Sequence, residues 1–298
     1  MQRNQLDKAI AAIDVLQKKQ PDNPATYNLR ARVLLAKKDT AGARINLERA
    51  LALNPTYIPA VAALASLDMV ENKPAEARMR LEAVLAKDPK NSAALLSLAK
   101  LTAATGGNLE DALALINKAV KENPSEIGPR LELIEFYLAR QDAKKAAAIA
   151  QDALAAIPDK AELLNAAGVA QFLSGDVNQA LATYAKLATL QPASPLAYLR
   201  IAEIQSAQKN TDEAVKNLRK ALEIRPNLLE AQQKLILVYL AAGNSKDALA
   251  VARNVEKQRP SEAVGYVLEG DIQASQKRWP EAASAYRSGL KQAPSTEL

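Results

Sequence analysis

The chain has 298 residues, 49% hydrophobic and only 4% aromatic, with 39 basic against 33 acidic side chains. It contains no cysteine and no histidine, which excludes disulfides and thiolate metal sites and counts against mechanisms built on an imidazole base. The excess of six positive charges is spread over a mixed surface, 22 basic and 17 acidic groups in residues 1–149 and 17 and 16 in the remainder, without the concentrated basic stripe that nucleic acid requires.

Alanine and leucine dominate, so an all-helical chain is expected. No run approaches the roughly 20 apolar residues of a membrane span, and the opening MQRNQLDKAI lacks the apolar stretch of a secretory signal. The first predicted helix fills residues 1–20, carries Ala9, Ile13 and Leu16 on one face, and stops at Pro21. The same stop returns at Pro55, Pro89, Pro124, Pro158, Pro192, Pro226, Pro260 and Pro294, in steps of 34 with a single 35. Twelve residues before each lies an alanine: Ala9, Ala43, Ala77, Ala112, Ala146, Ala180, Ala214, Ala248 and Ala282. The one long step is explained by Gly106-Gly107, which lengthens a turn.

Between successive prolines the apolar spacing reads as two helices, A and then B. The B helix begins four residues before the alanine, where Asp39, Asn108, Asp142, Asp176, Asn210 and Asn244 can accept from free N–H groups. Lys73 and Arg278 depart from that pattern, but Pro74 and Pro280 follow them in the first turn, where proline is tolerated. The expected units are a half repeat at 1–23 (second helix only), then full repeats at 24–57, 58–91, 92–126, 127–160, 161–194, 195–228, 229–262 and 263–298. Both ends read as cut from a longer protein, with uncapped terminal helices available for end-to-end association between chains.

This pattern resembles the tetratricopeptide repeat, a 34-residue helix-turn-helix with alanine in its second helix and a closing proline. The stretch LLNAAGVAQFLSGDVNQALATYAKLATLQP, 163–192, is the best single copy. Where the signature has tryptophan, Tyr27, Tyr198 and Tyr266 stand in three repeats, and Val61, Leu95, Arg130, Leu164 and Gln232 in the others. The resemblance implies an all-α, right-handed superhelical solenoid of seventeen helices.

Comparing the repeats with one another predicts a contact at each A–B crossing. Ala31 faces Leu47, Ala65 faces Leu81, Ala99 faces Ile116 and Ala202 faces Leu218. Gly168 and Gly270 are matched by the larger Tyr184 and Tyr286, and Ile134 and Ile236 by the smaller Ala150 and Ala252. Such an exchange of volume is what close packing demands. Repeats four and five also match seven and eight at a separation of 102 residues, including Tyr137 with Tyr239 and Gln171 with Gln273, which points to a duplicated block.

No catalytic constellation emerges, and no cofactor or metal is expected. Glu110-Asp111 and Asp212-Glu213 lie in first turns of B helices, where acids suit the dipole. Ser66, Ser206 and Ser275 have no histidine to activate them, and no glycine-rich phosphate loop is present. The pairs Lys18-Lys19, Lys37-Lys38 and Lys144-Lys145 lack interleaved aromatics, so no nucleic-acid partner is expected. Trp279 is expected to pack over the last A–B turn.

The resemblance further implies that A helices line a concave face that takes a peptide or partner protein. The candidate groove residues are Asn28, Arg32, Ser66, Lys100, Glu135, Asn165, Glu203, Gln233 and Asp271, interspersed with Ala62, Leu96, Leu131, Val169, Leu199, Leu237 and Val267. Their charges sort, Arg32 and Lys100 early and Glu135, Glu203 and Asp271 late, which would orient a bound segment. Leu35, Met69, Leu138, Phe172 and Leu240 form a further apolar row, expected mainly as core with Met69 and Phe172 partly open to a ligand. The first three repeats do not reproduce the lysine and asparagine set of a carboxylate clamp. The implied function is a non-catalytic scaffold. Its alanine-rich style is similar to bacterial envelope repeat lipoproteins of exopolysaccharide (PEP-CTERM) systems and to the cellulose export repeat region, which implies a periplasmic setting, with cytoplasmic as the alternative. The rival readings are a regulatory segment of an enzyme such as a glycosyltransferase, and direct polysaccharide binding.

Overall fold

The computed structural model describes residues 2–292. The first A helices are α2 (Pro24–Ala36), α4 (Ile58–Val70), α6 (Ser92–Ala104) and α8 (Ile127–Leu138); those of the second half are α10 (Ala161–Ser174), α12 (Leu196–Ala207), α14 (Leu229–Ala241) and α16 (Val264–Ser275). The B helices begin with α1 (Gln2–Lys19) and continue as α3 (Thr40–Leu53), α5 (Pro74–Lys87), α7 (Leu109–Glu122) and α9 (Ala143–Ala156). They end with α11 (Val177–Leu190), α13 (Thr211–Ile224), α15 (Ser245–Gln258) and α17 (Trp279–Gln292). The helices gather into two compact units, residues 1–140 and 141–298, and within each unit every helix packs on its neighbours in sequence. Pro294 lies outside the described residues.

Two different stop signals alternate along the chain. Each B helix from α3 to α15 ends on a residue with φ between −129° and −142°, and the next residue is the stop proline, whose ring forces that extended backbone. Most A helices end instead in a left-handed turn whose following N–H returns to a carbonyl five residues back: Asp39 to Leu34 at 2.9 Å, Lys73 to Asp68 at 2.7 Å, Asp176 to Gln171 at 2.8 Å. Glycine supplies the positive φ at Gly106, Gly175 and Gly243, whereas Lys38, Asn72, Gln141, Lys209 and Lys277 adopt it with side chains. Gly107 is the extra residue of the long repeat, placed between the left-handed Gly106 and the N-cap Asn108. Among the expected caps, Asp39, Asn108, Asp142 and Asn244 accept a backbone N–H, while Asp176 and Asn210 stand at the cap position without that bond.

The repeated alanines from Ala43 to Ala282 are 0–3% exposed, which lets the B helices sit closely on their neighbours; Ala9 is half-buried. At the crossings the two glycines do face their tyrosines. A Cβ on Gly168 would lie 2.4 Å from the Tyr184 ring, and one on Gly270 would lie 2.3 Å from that of Tyr286. Ala31 with Leu47, Ala65 with Leu81, and both Ala202 with Leu218 and Ile236 with Ala252 share hydrophobic cores.

The position that departs from the signature tryptophan has two physical solutions. Tyr27, Arg130 and Gln232 each donate to the carbonyl of the stop proline six residues earlier, at 2.9, 3.0 and 3.2 Å. Val61, Leu95 and Leu164 are instead buried apolar fillers. A second row, one turn from the A-helix end, is polar, buried at Asp68 and Gln171 and half-buried at Gln205. Asp68 accepts from Arg44 at 2.9 Å and Arg80 at 2.7 Å, and Gln171 accepts from Thr183 at 2.7 Å. Gln205 accepts from Asn217 at 3.0 Å, again twelve residues on.

Candidate functional site

An A helix buries one side against its own B helix and another against neighbouring A helices, leaving the outer positions of the second face open. On that face Arg32, Ser66, Lys100, Glu135, Gln233 and Asp271 are exposed, and Asn28, Asn165 and Glu203 are half-buried. Leu199, expected to point outward, is a correction: it is buried in a core with Leu235 and Ile236, where an aliphatic side chain gains more than it would in water.

The charges on this face are mostly committed to one another. Lys100 Nζ on α6 lies 2.7 Å from Glu132 Oε2 on α8. Glu203 Oε1 on α12 lies 2.7 Å from Lys234 Nζ on α14, and its Oε2 accepts from Arg200 at 2.9 Å. Burial pushes the Glu203 carboxyl up, but the bonds from Lys234 and Arg200 outweigh it and hold the group below the usual carboxylate range. Asp271 accepts from the Tyr286 hydroxyl at 2.8 Å. Tyr286 reaches it past Gly270, so a B-helix residue contributes to a face that was assigned to A helices alone. Asn165 Oδ1 is buried without a hydrogen-bond partner, and the nearby Tyr184 hydroxyl makes a long 3.4 Å bond to the Asn165 carbonyl. Burial raises Tyr184 to about 12, so its hydroxyl remains a neutral donor.

Each unit has a cavity on its own A-helix face. The first, about 360 Å³ between α4 and α6, brings together Ser66 and Lys100 with Met69 and Ser97 over a floor of Ala65 and Leu81. The second, about 350 Å³ between α12 and α14, brings together Glu203 and Leu237 with Lys234 and Ser206 over Ala202 and Leu218. Asn28, Arg32, Glu135, Asn165, Gln233 and Asp271 line neither. Ser97 and Lys234 were missed, although each stands three residues before a named position, Lys100 or Leu237, and so shares its helix face. Met69 is half-buried at the first cavity, whereas Phe172 packs into the core around Tyr184.

A larger cavity of about 920 Å³ lies by the α10–α11 turn among Gln151, Gln171, Asp176 and Thr183, without a nucleophile–base pair. Among the described residues no group of three metal-ligating side chains comes together, and no helix is long and apolar enough to cross a membrane. Trp279 is 62% exposed, which corrects the expected packing. It is the first residue of α17, about a quarter turn away from the face that buries Ala282, Ala285 and Gly289.

No curated protein matches the chain in sequence. Among solved structures it is similar to a tetratricopeptide repeat protein from Parabacteroides merdae, at 20% identity and TM-score 0.54 over 80% of this chain and 94% of that one. It is similar to yeast Tom70 at 17% identity and TM-score 0.62, over 96% of this chain and 59% of the other. The Cut9–Hcn1 assembly of the APC/C gives 18% identity and TM-score 0.50, over 90% and 52%. At these identities the likeness concerns the fold alone. Profiles described as Tetratricopeptide repeat match residues 34–101, residues 1–58 and 234–296, and residues 196–228. Alternating stops, a close-packed alanine in every B helix from α3 to α17 and these matches agree: the chain belongs to the tetratricopeptide repeat family and has its all-α fold.

Proposed function

We propose that the protein is a non-catalytic scaffold that holds a peptide or partner protein on its A-helix face. The observation that supports this is the pair of open, apolar-floored cavities on that face, each rimmed by side chains that can hydrogen-bond an extended backbone. The candidate residues outside the cavities, from Asn28 and Arg32 through Glu135 and Asn165 to Gln233 and Asp271, would act as flanking contacts. Orientation by sorted charge is carried by Arg32, Lys100 and Glu135, because Glu203 is already bonded to both Arg200 and Lys234.

The test is a peptide array probed with the protein. Binding should fall about tenfold in an Arg32→Glu/Glu135→Lys/Gln233→Ala variant, with Ile45→Ser on the B-helix surface as the unaffected control. Equal binding by both variants would remove the reading. The alanine-rich repeat style supports a place in exopolysaccharide export at the cell envelope, and self-association through the terminal helices accompanies that reading. Sedimentation at high concentration tests the association.

A further inference from the structure

The two cavities occupy the same place in the repeat, because the same helix-crossing pair, alanine on A and leucine on B, forms both floors. Gly168 and Gly270 show the alternative, in which a tyrosine ring fills the crossing to within 2.4 and 2.3 Å of a would-be Cβ. The floors match, but the rims differ position by position. Lys100 is replaced by Leu237, Ser66 by Glu203, Ser97 by Lys234 and Met69 by Ser206.

In the first cavity the lysine is 64% exposed and held on one side only, by Glu132. Its ammonium has further donors, and Ser97 and Ser66 line the same rim, the Ser66 hydroxyl donating to the Ala62 carbonyl. In the second cavity the acid is bonded to both Arg200 and Lys234, and the rim position of Lys100 is taken by a leucine that is 64% exposed. A ligand carboxylate therefore meets a mostly exposed lysine at the first cavity, whereas at the second Lys234 is half-buried between Glu203 and Glu230. Resting on the peptide-binding reading above, we propose that the two cavities are anchor sites with different side-chain preferences. The α4–α6 cavity takes an aliphatic side chain followed by a carboxylate, and the α12–α14 cavity takes an aliphatic side chain whatever charge follows it.

The methionines are Met1, Met69 and Met79, so a methyl-labelled methionine spectrum contains a reporter inside the first cavity and an exposed control on α5. The intact protein is titrated with acetyl-Leu-Glu-amide and acetyl-Leu-Lys-amide at millimolar concentration, the range expected for one anchor side chain. Met69 should shift with the glutamate peptide, Met79 should not, and the lysine peptide should bind about threefold more weakly, as one exposed charge pair allows. Lys100→Glu should reverse that preference. Ser66→Phe should roof the cavity and abolish the response, with Ser97→Phe as a second variant should the first unfold. Ser206→Met places the same reporter in the second cavity, where the two peptides should act alike.

An unmoved Met69, equal response to both peptides there, or a charge preference at position 206 would overturn the proposal. If array binding is lost in the face variant while Met69 stays unmoved, the scaffold reading stands and the anchor assignment falls. If Met69 discriminates while the face variant binds normally, the reverse holds.

Discussion

Gln273 is the residue that the repeat leaves incomplete. Its counterpart Gln171, 102 positions earlier, accepts from Thr183 at 2.7 Å, but at the matching place in the last repeat stands Ala285, and Gln273 Oε1 is buried without a partner. Ala285→Thr should restore the bond and raise stability by about 1 kcal/mol in urea unfolding, whereas Thr183→Ala should lower it by about 1–2 kcal/mol. Gly168 poses the opposite problem of too little space. Gly168→Ala forces a methyl into the Tyr184 ring and should cost about 1–3 kcal/mol, and adding Tyr184→Leu, which recreates the alanine–leucine crossing of other repeats, should recover much of that loss. The volume exchange at these crossings was legible in the sequence because each repeat repacks the same site. The partners of Lys100 and Glu203 were not, because Glu132 and Lys234 lie in the following repeat and a charged side chain does not reveal which neighbour it will reach.

The helices owe their limits to two kinds of stop, and only one leaves a mark in the sequence. Proline fixes the ends of the B helices through its own ring, so that period could be read directly. The A helices end in a left-handed residue that is glycine in some repeats and lysine, asparagine or glutamine in others, so residue identity did not disclose it. Left-handed backbone costs a residue with a Cβ about 1–2 kcal/mol, and Lys209→Gly should therefore stabilise the protein, by less than that because glycine also gains freedom in the unfolded chain. Thermal melting would show it.

The α15–α16 contact carries a pH dependence. Glu256 has a buried, unpartnered Oε1 and faces Glu269, which Arg253 holds at 2.9 Å. Burial first, then the bond to Glu269 and its charge, push Glu256 from the ordinary 4.5 up to about 7, with Arg253 opposing. Because the folded state favours the proton, the stability this group contributes is fully present below pH 4.5 and is lost as pH rises through 7. The melting temperature should fall between pH 5 and pH 8, and Glu256→Gln should flatten that slope.

The molecule as a whole consists of two compact units built from one kind of contact, each helix on the next. In such an array stability is close to a sum over neighbours, so damage is expected to stay local. The lone Trp279 makes this measurable, since it reports on the second unit while circular dichroism reports on every helix. Leu47→Ala removes a fully buried side chain from the first unit, at a cost of about 2–5 kcal/mol. It should split the dichroism transition and leave the fluorescence midpoint in place; a common shift of both curves would show that the units unfold together. Gly107 has a use of a different kind. Its backbone is so tight against Thr102, 2.9 Å from a would-be Cβ to the carbonyl oxygen, that it cannot be exchanged for a larger residue, yet the capped helix after it starts normally. A tag or foreign loop spliced directly behind it, ahead of Asn108, would enter at a junction that already holds one residue more than its counterparts along the chain.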